Sequence, residues 1–568
     1  MISNSKANHV RAIYVIFTMI SCFKSETHSN AIQIYMNKVW PIANPIETYR
    51  YYDFPFCQPP TVHSVEMSLG QVLRGDRLTN SVYAIDFEES GTKEFVCEKS
   101  FSAGELTRLS DAIKQKYMYE MVVGGFPVSL PFGTPPMSLC THVKFELGSH
   151  DSALVSADVV CMETTTLPAP SVAFYYSVGW KPVSSSSDLA SVLGLKNQKS
   201  ASLHVHWISI FNSLILAALF STLVLVVIVR AVRSDLLTPD LEAAPDDHLD
   251  GWKLVHGDVF RPPPHRMWLC AAVGAGTQLL VVCALVVLIG AVVSYSKRGT
   301  LLTTAVVVYM LSAALAGYVS ARLYVRIGGV KLKWNMVVTA LLFAGPAFAI
   351  WSILNTVAIA YNSTAAFPFS TILQLFAMWA LVTIPLTLVG GMAGARHRGP
   401  PFPVKTNRIP RQIPKINTYT YGRAMQILVS GAICFGSMYL ELKYVFQSVW
   451  TEGHVYTLYG VLVVAMALLF VLGTVLTVLF TYMHLNYAEE YRWWWRSFFG
   501  SGASVALFFC AYTVWFYTQS EMDGTLQTMF FFLYSLLSAY AVALVIGTIS
   551  FATTYKFVWF LFSNVKIE

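Results

Sequence analysis

Nine apolar segments, each long enough to cross a bilayer, decide what this chain can fold into. They lie at about 207–229, 268–293, 301–321, 335–360, 371–394, 424–447, 456–481, 501–518 and 528–562, behind a polar stretch covering residues 31–200. A hydrocarbon core of roughly 30 Å takes about 20 helical residues. Lipid offers no hydrogen bonds to a bare backbone, so each crossing must be a helix. Composition agrees: 55% of the residues are hydrophobic and 12% are charged, against roughly 25% charged in soluble domains. The net charge of +7 does not indicate nucleic-acid binding, because most of the basic residues flank apolar spans, where they set topology.

The N-terminus reads as a secretory signal over residues 1–30. Lys6 and Arg11 precede "AIYVIFTMISCF", whose 12 residues are too few to span a bilayer. An uncleaved anchor is the alternative. Either reading sends the polar region to the lumen, and nine spans then return the C-terminus to the cytosol. The expected cytosolic loops and tail carry 19 Lys and Arg, whereas the lumenal connections carry two, Lys297 and Arg298, as the positive-inside rule requires. "NST" at Asn362 is the sole glycosylation sequon and falls in a short lumenal loop.

Residues 31–200 are expected to form a mainly β sandwich. Stretches such as "NSVYAIDF" and "HVKFEL" alternate as strands do. "GGFPVSLPFGTPP" reads as turns, and "VSSSSDLASV" as a tether to the membrane domain, residues 201–568. Cys57, Cys97, Cys140 and Cys161 allow up to two disulfides in three possible pairings. Cys270, Cys283, Cys434 and Cys510 lie in apolar spans, as small buried hydrophobes do.

Three stretches could carry chemistry. In "GWKLVHGDVFRPP", His256 and Asp258 share a face if the segment is extended, yet they make at most half a metal site. The simpler reading is a membrane-surface turn, with Trp252 and Phe260 dipping into the interface and Lys253 and Arg261 meeting headgroups around Gly257. "YAEEYRWWWRSFFGSGAS" reads as an interfacial anchor built from Arg492, Trp493, Trp494, Trp495 and Arg496, with Glu489 and Arg492 spaced to pair on a helix. In "SGAICFGSMYLELKYVF", Glu441 and Lys443 are ionisable residues inside the sixth span, and such residues are functional candidates by default. Lys443 can snorkel outward. Gly431 and Gly436 on the same helix let another helix approach closely. A structural hydrogen bond between helices is the competing role for Glu441. Walker, HExxH, GxSxG and dinucleotide motifs are all missing, so the chain is expected to be no enzyme and to need no cofactor or metal.

From about Tyr51 to Glu568 the chain resembles the nonaspanins, the transmembrane nine superfamily or EMP70 family. The residues that carry the resemblance are "YYDFPFCQP", "LGQVLRGDRLTNSVY", "GGFPVSLPFG", "GWKLVHGDVFRPP", "IPRQIP" and "EEYRWWWRSFFGSG". One departure stands out: Ile433 and Cys434 replace the family's usual Leu-Pro pair while Glu441 remains. The resemblance implies a lumenal domain followed by nine spans, residence in Golgi and endosomes, and a role in exporting or localising membrane proteins whose spans are glycine-rich or charged. It also implies a C-terminal K-x-[DE] retention signal for the coatomer coat, here Lys566 and Glu568. The expected function is therefore sorting of client membrane proteins through their spans, with membrane lipids and coatomer as further partners. A transporter or channel for a small solute or ion is the alternative.

Overall fold

The computed structural model of the chain describes residues 31–150, 153–169, 171–182, 200–237, 251–292, 299–397, 399–413, 422–447, 449–450, 455–520, 522 and 524–563. The signal segment, the "VSSSSDLASV" tether, Lys297, Arg298, Lys566 and Glu568 lie outside these residues.

In the β-domain the strands run β1 (Ala31–Ile32), β2 (Ile34–Pro41), β3 (Tyr49–Arg50), β4 (Thr79–Asn80), β5 (Ile85–Asp86), β6 (Glu94–Lys99), β7 (Tyr117–Val123), β8 (Phe126–Pro131), β9 (Gly133–Thr134), β10 (Ser138–His150), β11 (Ala153–Thr166) and β12 (Val172–Pro182). One sheet has the order β11-β10-β12-β6 with β9 beside β10; a second has β3-β2-β7-β8 with β4 beside β2. All pairs are antiparallel except β10 with β12. Along β10 the side chains alternate: Val143, Phe145 and Leu147 enter a core shared by both sheets, while Lys144 and Glu146 face outward and pair with each other. Disulfides Cys57–Cys97 and Cys140–Cys161 tie the sequence around Phe56 to β6 and staple β10 to β11.

"HVKFEL" lies within β10 as expected, but "NSVYAIDF" is mostly irregular. Tyr83 leaves the strand path to pack edge-on against Phe145 and Tyr176 in the core, 5.3 and 5.5 Å away. The turn-rich "GGFPVSLPFGTPP" contains β8. That strand pairs only along its β7 side, and an edge position tolerates Pro127 and Pro131.

Among the described residues nine helices are long and apolar enough to cross a membrane: span one Ile210–Ser234, two Arg266–Gly290, three Thr300–Arg326, four Leu332–Ala360, five Phe369–Arg396, six Ala424–Gln447, seven Met466–Tyr487, eight Trp493–Gln519 and nine Thr525–Ser563. Span eight begins well before the expected position near 501, because the tryptophan run is itself helical. Span five contains a π-helical turn at Trp379–Thr383 just ahead of Pro385, whose missing N–H and ring cannot continue regular α hydrogen bonding. Spans two to five form one packed group and spans six to nine another; span nine joins them through spans two and four. Span one packs against spans six and seven. The 39 residues of span nine make a rod of about 58 Å, so its far end continues beyond the hydrocarbon.

The β-domain sits on the connections around spans three, four and five. A short helix, α1 (Leu69–Leu73), donates the Gly70 N–H to Thr303 Oγ1 at 3.0 Å. Arg77 donates to the Ala366 carbonyl at 2.5 Å, and Thr364 meets Thr48 by both backbone and side chain. Ser363 and Thr364 of the sequon are therefore buried in this joint, while Asn362 itself is exposed in a turn with φ 51°. A Cβ on Gly70 would lie 1.8 Å from the Gly299 carbonyl oxygen. Backbone cannot yield as a flexible side chain can, so Gly70→Ala is expected to lift the β-domain from its seat at a cost of about 1–3 kcal/mol. Hydrogen exchange at residues 299–303 and 361–366 should accelerate. Gly104→Ala, which meets nothing within 4 Å, should leave those rates unchanged; equal effects of the two changes would refute the seat.

Candidate functional site

Two places concentrate the residues singled out from the sequence. The first is a hub at the end of the bundle away from the β-domain, where three of the motif stretches converge. Gly251–Val255 forms a 3-10 turn, and the chain then winds back on itself through Asp258 and Arg261. The Asp258 carboxylate accepts from Arg261 Nε at 2.8 Å and from the Arg411 backbone N–H at 3.0 Å. The Asn407 N–H donates to the Gly257 carbonyl, and a Cβ on Gly257 would strike the Asn407 side chain at 2.1 Å. Arg411 reaches on to Glu489 at 2.6 Å, and Glu490 pairs with Arg496 at 2.8 Å. "GWKLVHGDVFRPP", "IPRQIP" and "EEYRWWWR" are thus one polar network laid over an aromatic floor.

This geometry corrects three expectations. Trp252 and Phe260 do not dip into a lipid interface: they are buried, Trp252 edge-on to Phe562 and Phe260 stacked on Phe402 at 4.9 Å. Arg261 is engaged by Asp258 and the Asn407 carbonyl rather than by headgroups. The tryptophan run is likewise not an anchor as a whole. Trp493 and Trp494 are buried and stacked 4.5 Å apart; Trp493 Nε1 donates to the Val259 carbonyl and Trp495 Nε1 to the Pro264 carbonyl, both at 2.8 Å. Successive helical residues turn by about 100°, so three tryptophans in a row cannot all face lipid. Arg492 remains exposed. Glu489 precedes the helix and pairs with Arg411, so it does not form the expected pair with Arg492. His256 Nδ1 lies 2.9 Å from the Lys253 carbonyl and so is held within its own turn. Among the described residues no group of three His, Cys, Asp or Glu is placed to hold a metal ion. Arg326 stacks over Trp559 at 4.6 Å and donates to the Pro400 carbonyl.

The second place is the face of span six that carries Gln426, Ser430, Cys434, Ser437 and Glu441. Steps of four, four, three and four residues align them on one side of a helix, and every one is buried. Among the described residues, Gln426 Nε2, Ser430 Oγ and both Glu441 carboxyl oxygens have no hydrogen-bond partner. Glu441 is fully enclosed. The Ser213 hydroxyl of span one faces it without completing a hydrogen bond. One turn away, Ala217 of span one packs with Met438 of span six and Leu468 of span seven. Glu441 therefore lies in a closed seam between span one and spans six and seven.

The other three candidates on span six point elsewhere. Lys443 is exposed, about 200° around the helix from Glu441. Gly431 is buried against span eight, where a Cβ would meet Phe508 at 2.4 Å and Ser504 at 3.2 Å. Gly436 opens to space, with nothing within 4 Å of a would-be Cβ. The structure thus separates these residues into three directions: Glu441 in the seam, Gly431 against span eight, and Gly436 with Lys443 on the exposed side. Sequence reading missed the polar file leading to Glu441, although its spacing was visible, because serine and glutamine in an apolar segment drew no notice beside a carboxylate.

A β-domain followed by nine apolar helices defines an integral multi-pass membrane protein. Residues 48–525 match the family model described as Endomembrane protein 70. The chain is 36% identical over 564 residues to transmembrane 9 superfamily member 4 of Arabidopsis thaliana, covering 94% of each. It is 35% identical over 578 residues to transmembrane 9 superfamily member 1 of Bos taurus, covering 95% of each. The chain belongs to this family, the transmembrane 9 or EMP70 family. No solved structure matches it.

Proposed function

We propose that the protein is a non-enzymatic sorting factor that helps localise or export other membrane proteins by recognising their transmembrane spans. The observation that carries this reading is the Glu441 carboxyl, fully buried between helices with neither oxygen hydrogen-bonded. Buried polar groups in native structures are nearly always partnered, and intramembrane ionisable residues mark sites of function. A client span that exposes a polar group in lipid lacks a partner there and gains one at Glu441. Golgi and endosomal residence, a lumenal β-domain and a coatomer signal at Lys566 and Glu568 belong to the same reading.

The test is crosslinking mass spectrometry of the tagged protein in its own membranes, wild type against Glu441→Gln. Capture of proteins with glycine-rich or charged spans should fall at least tenfold in a mutant that remains folded. Undiminished capture removes Glu441 as the site. No enriched client in either sample removes the sorting role and turns attention to solute flux in liposomes.

A further inference from the structure

We propose that span one is a built-in substitute for a client helix, and that a client enters the seam by displacing it. This rests on the sorting reading above and adds where the client binds, what it must look like and what it must move.

Span one presents two different sides. Ser213, Ala217 and Ser221, at i, i+4 and i+8, form a ridge of small residues on one side. Ser213 and Ala217 are buried in the seam, and the Ser221 hydroxyl is enclosed without a partner. Phe211, Leu219 and Leu223 point away from that ridge and are exposed. Such a ridge lets two helices approach closely where lipid gives no hydrophobic drive for association. Ser213 lies at the level of Glu441 and Ala217 at the level of Met438. Span one therefore runs antiparallel to span six, and that register carries Ser221 toward Cys434.

The ridge alone would be ordinary packing. The second observation is what it fails to do. Span one supplies a hydroxyl at the level of Glu441, yet both carboxyl oxygens remain unpartnered, as do Ser221 Oγ and, further along span six, Ser430 Oγ. A permanent helix–helix contact satisfies its buried polar groups. A seam with orphaned groups on both walls is shaped for a helix of this form but chemically better matched by another. The favoured occupant has small residues at i, i+4 and i+8 and a longer donor (an amide, an ammonium or a guanidinium) level with Glu441. Occupancy is then an exchange: the client releases span one from spans six and seven and takes its place.

The experiment uses the full chain in nanodiscs with a biotin-tagged single-span peptide probe that carries a small-residue ridge, a central Gln and a photocrosslinker. Ala217→Cys with Met438→Cys, in a Cys434→Ala background, places thiols on either side of the seam. Oxidation should pin span one, and the link is verified by mass spectrometry of the joined peptides. The pinned protein is expected to capture the probe at least tenfold less than the same sample before oxidation, in which the β-domain disulfides are already formed and which serves as the folding control. Ala217→Leu, which thickens the ridge, should raise capture several-fold. Capture that ignores the verified link overturns the displacement proposal and leaves the sorting reading standing. No capture by the unoxidised protein or by wild type overturns both.

Discussion

Trp493→Ala is expected to cost about 3–5 kcal/mol, the range for truncating a large core aromatic, and Trp495→Ala less than half of that. The tryptophans are neighbours in sequence but not in environment. Trp493 is 1% exposed, stacks on Trp494 and Phe551, and donates to the Val259 carbonyl. Its removal leaves a cavity and strips a partner from the loop that holds the hub together. Trp495 is half-buried, stacks on Phe499 and bonds the Pro264 carbonyl from the rim. Unfolding midpoints in detergent, read by near-ultraviolet circular dichroism, measure the difference. Equal losses would restore the view of the run as a lipid-facing belt, in which each ring contributes alike.

Glu441→Leu is expected to raise stability while removing function. An isolated buried polar group costs about 1–3 kcal/mol when nothing satisfies it, and apolar replacements of buried charged groups are often neutral or stabilising. Leu fits a seam already lined by Ala217, Met438 and Leu468, so the midpoint should rise while probe capture falls at least tenfold. Stability held back at a binding site is a common trade. A drop in midpoint would show instead that the carboxyl fastens helices together, the competing role that its position in span six always allowed.

The spans were legible because a 20-residue apolar run has one physical outcome in lipid. The β-domain was legible in class from alternation and turn residues, as in "HVKFEL". Burial within the membrane was not. A tryptophan beside arginines at a span end looks the same in sequence whether it faces headgroups or the hub floor, and the choice at Trp252 and Trp493 is made by Phe562 and Phe551, far away in the chain. The seam at Glu441 was half legible. The carboxyl was visible, but that span one covers it depends on pairing helices more than 200 residues apart. "NSVYAIDF" failed for a similar reason: Tyr83 has β propensity, but the aromatic core beneath it claims the side chain.

The β-domain's seat has a mechanical consequence. Gly70 against Gly299, Arg77 against Ala366 and Thr48 against Thr364 fasten it to the group formed by spans two to five. Span one follows the domain directly in the chain yet rests on the other group, against spans six and seven. The molecule is thus divided between a frame and a part that carries span one. The β-domain and spans two to five are the frame, and the proposed displacement of span one would leave the Gly70, Arg77 and Thr48 contacts in place.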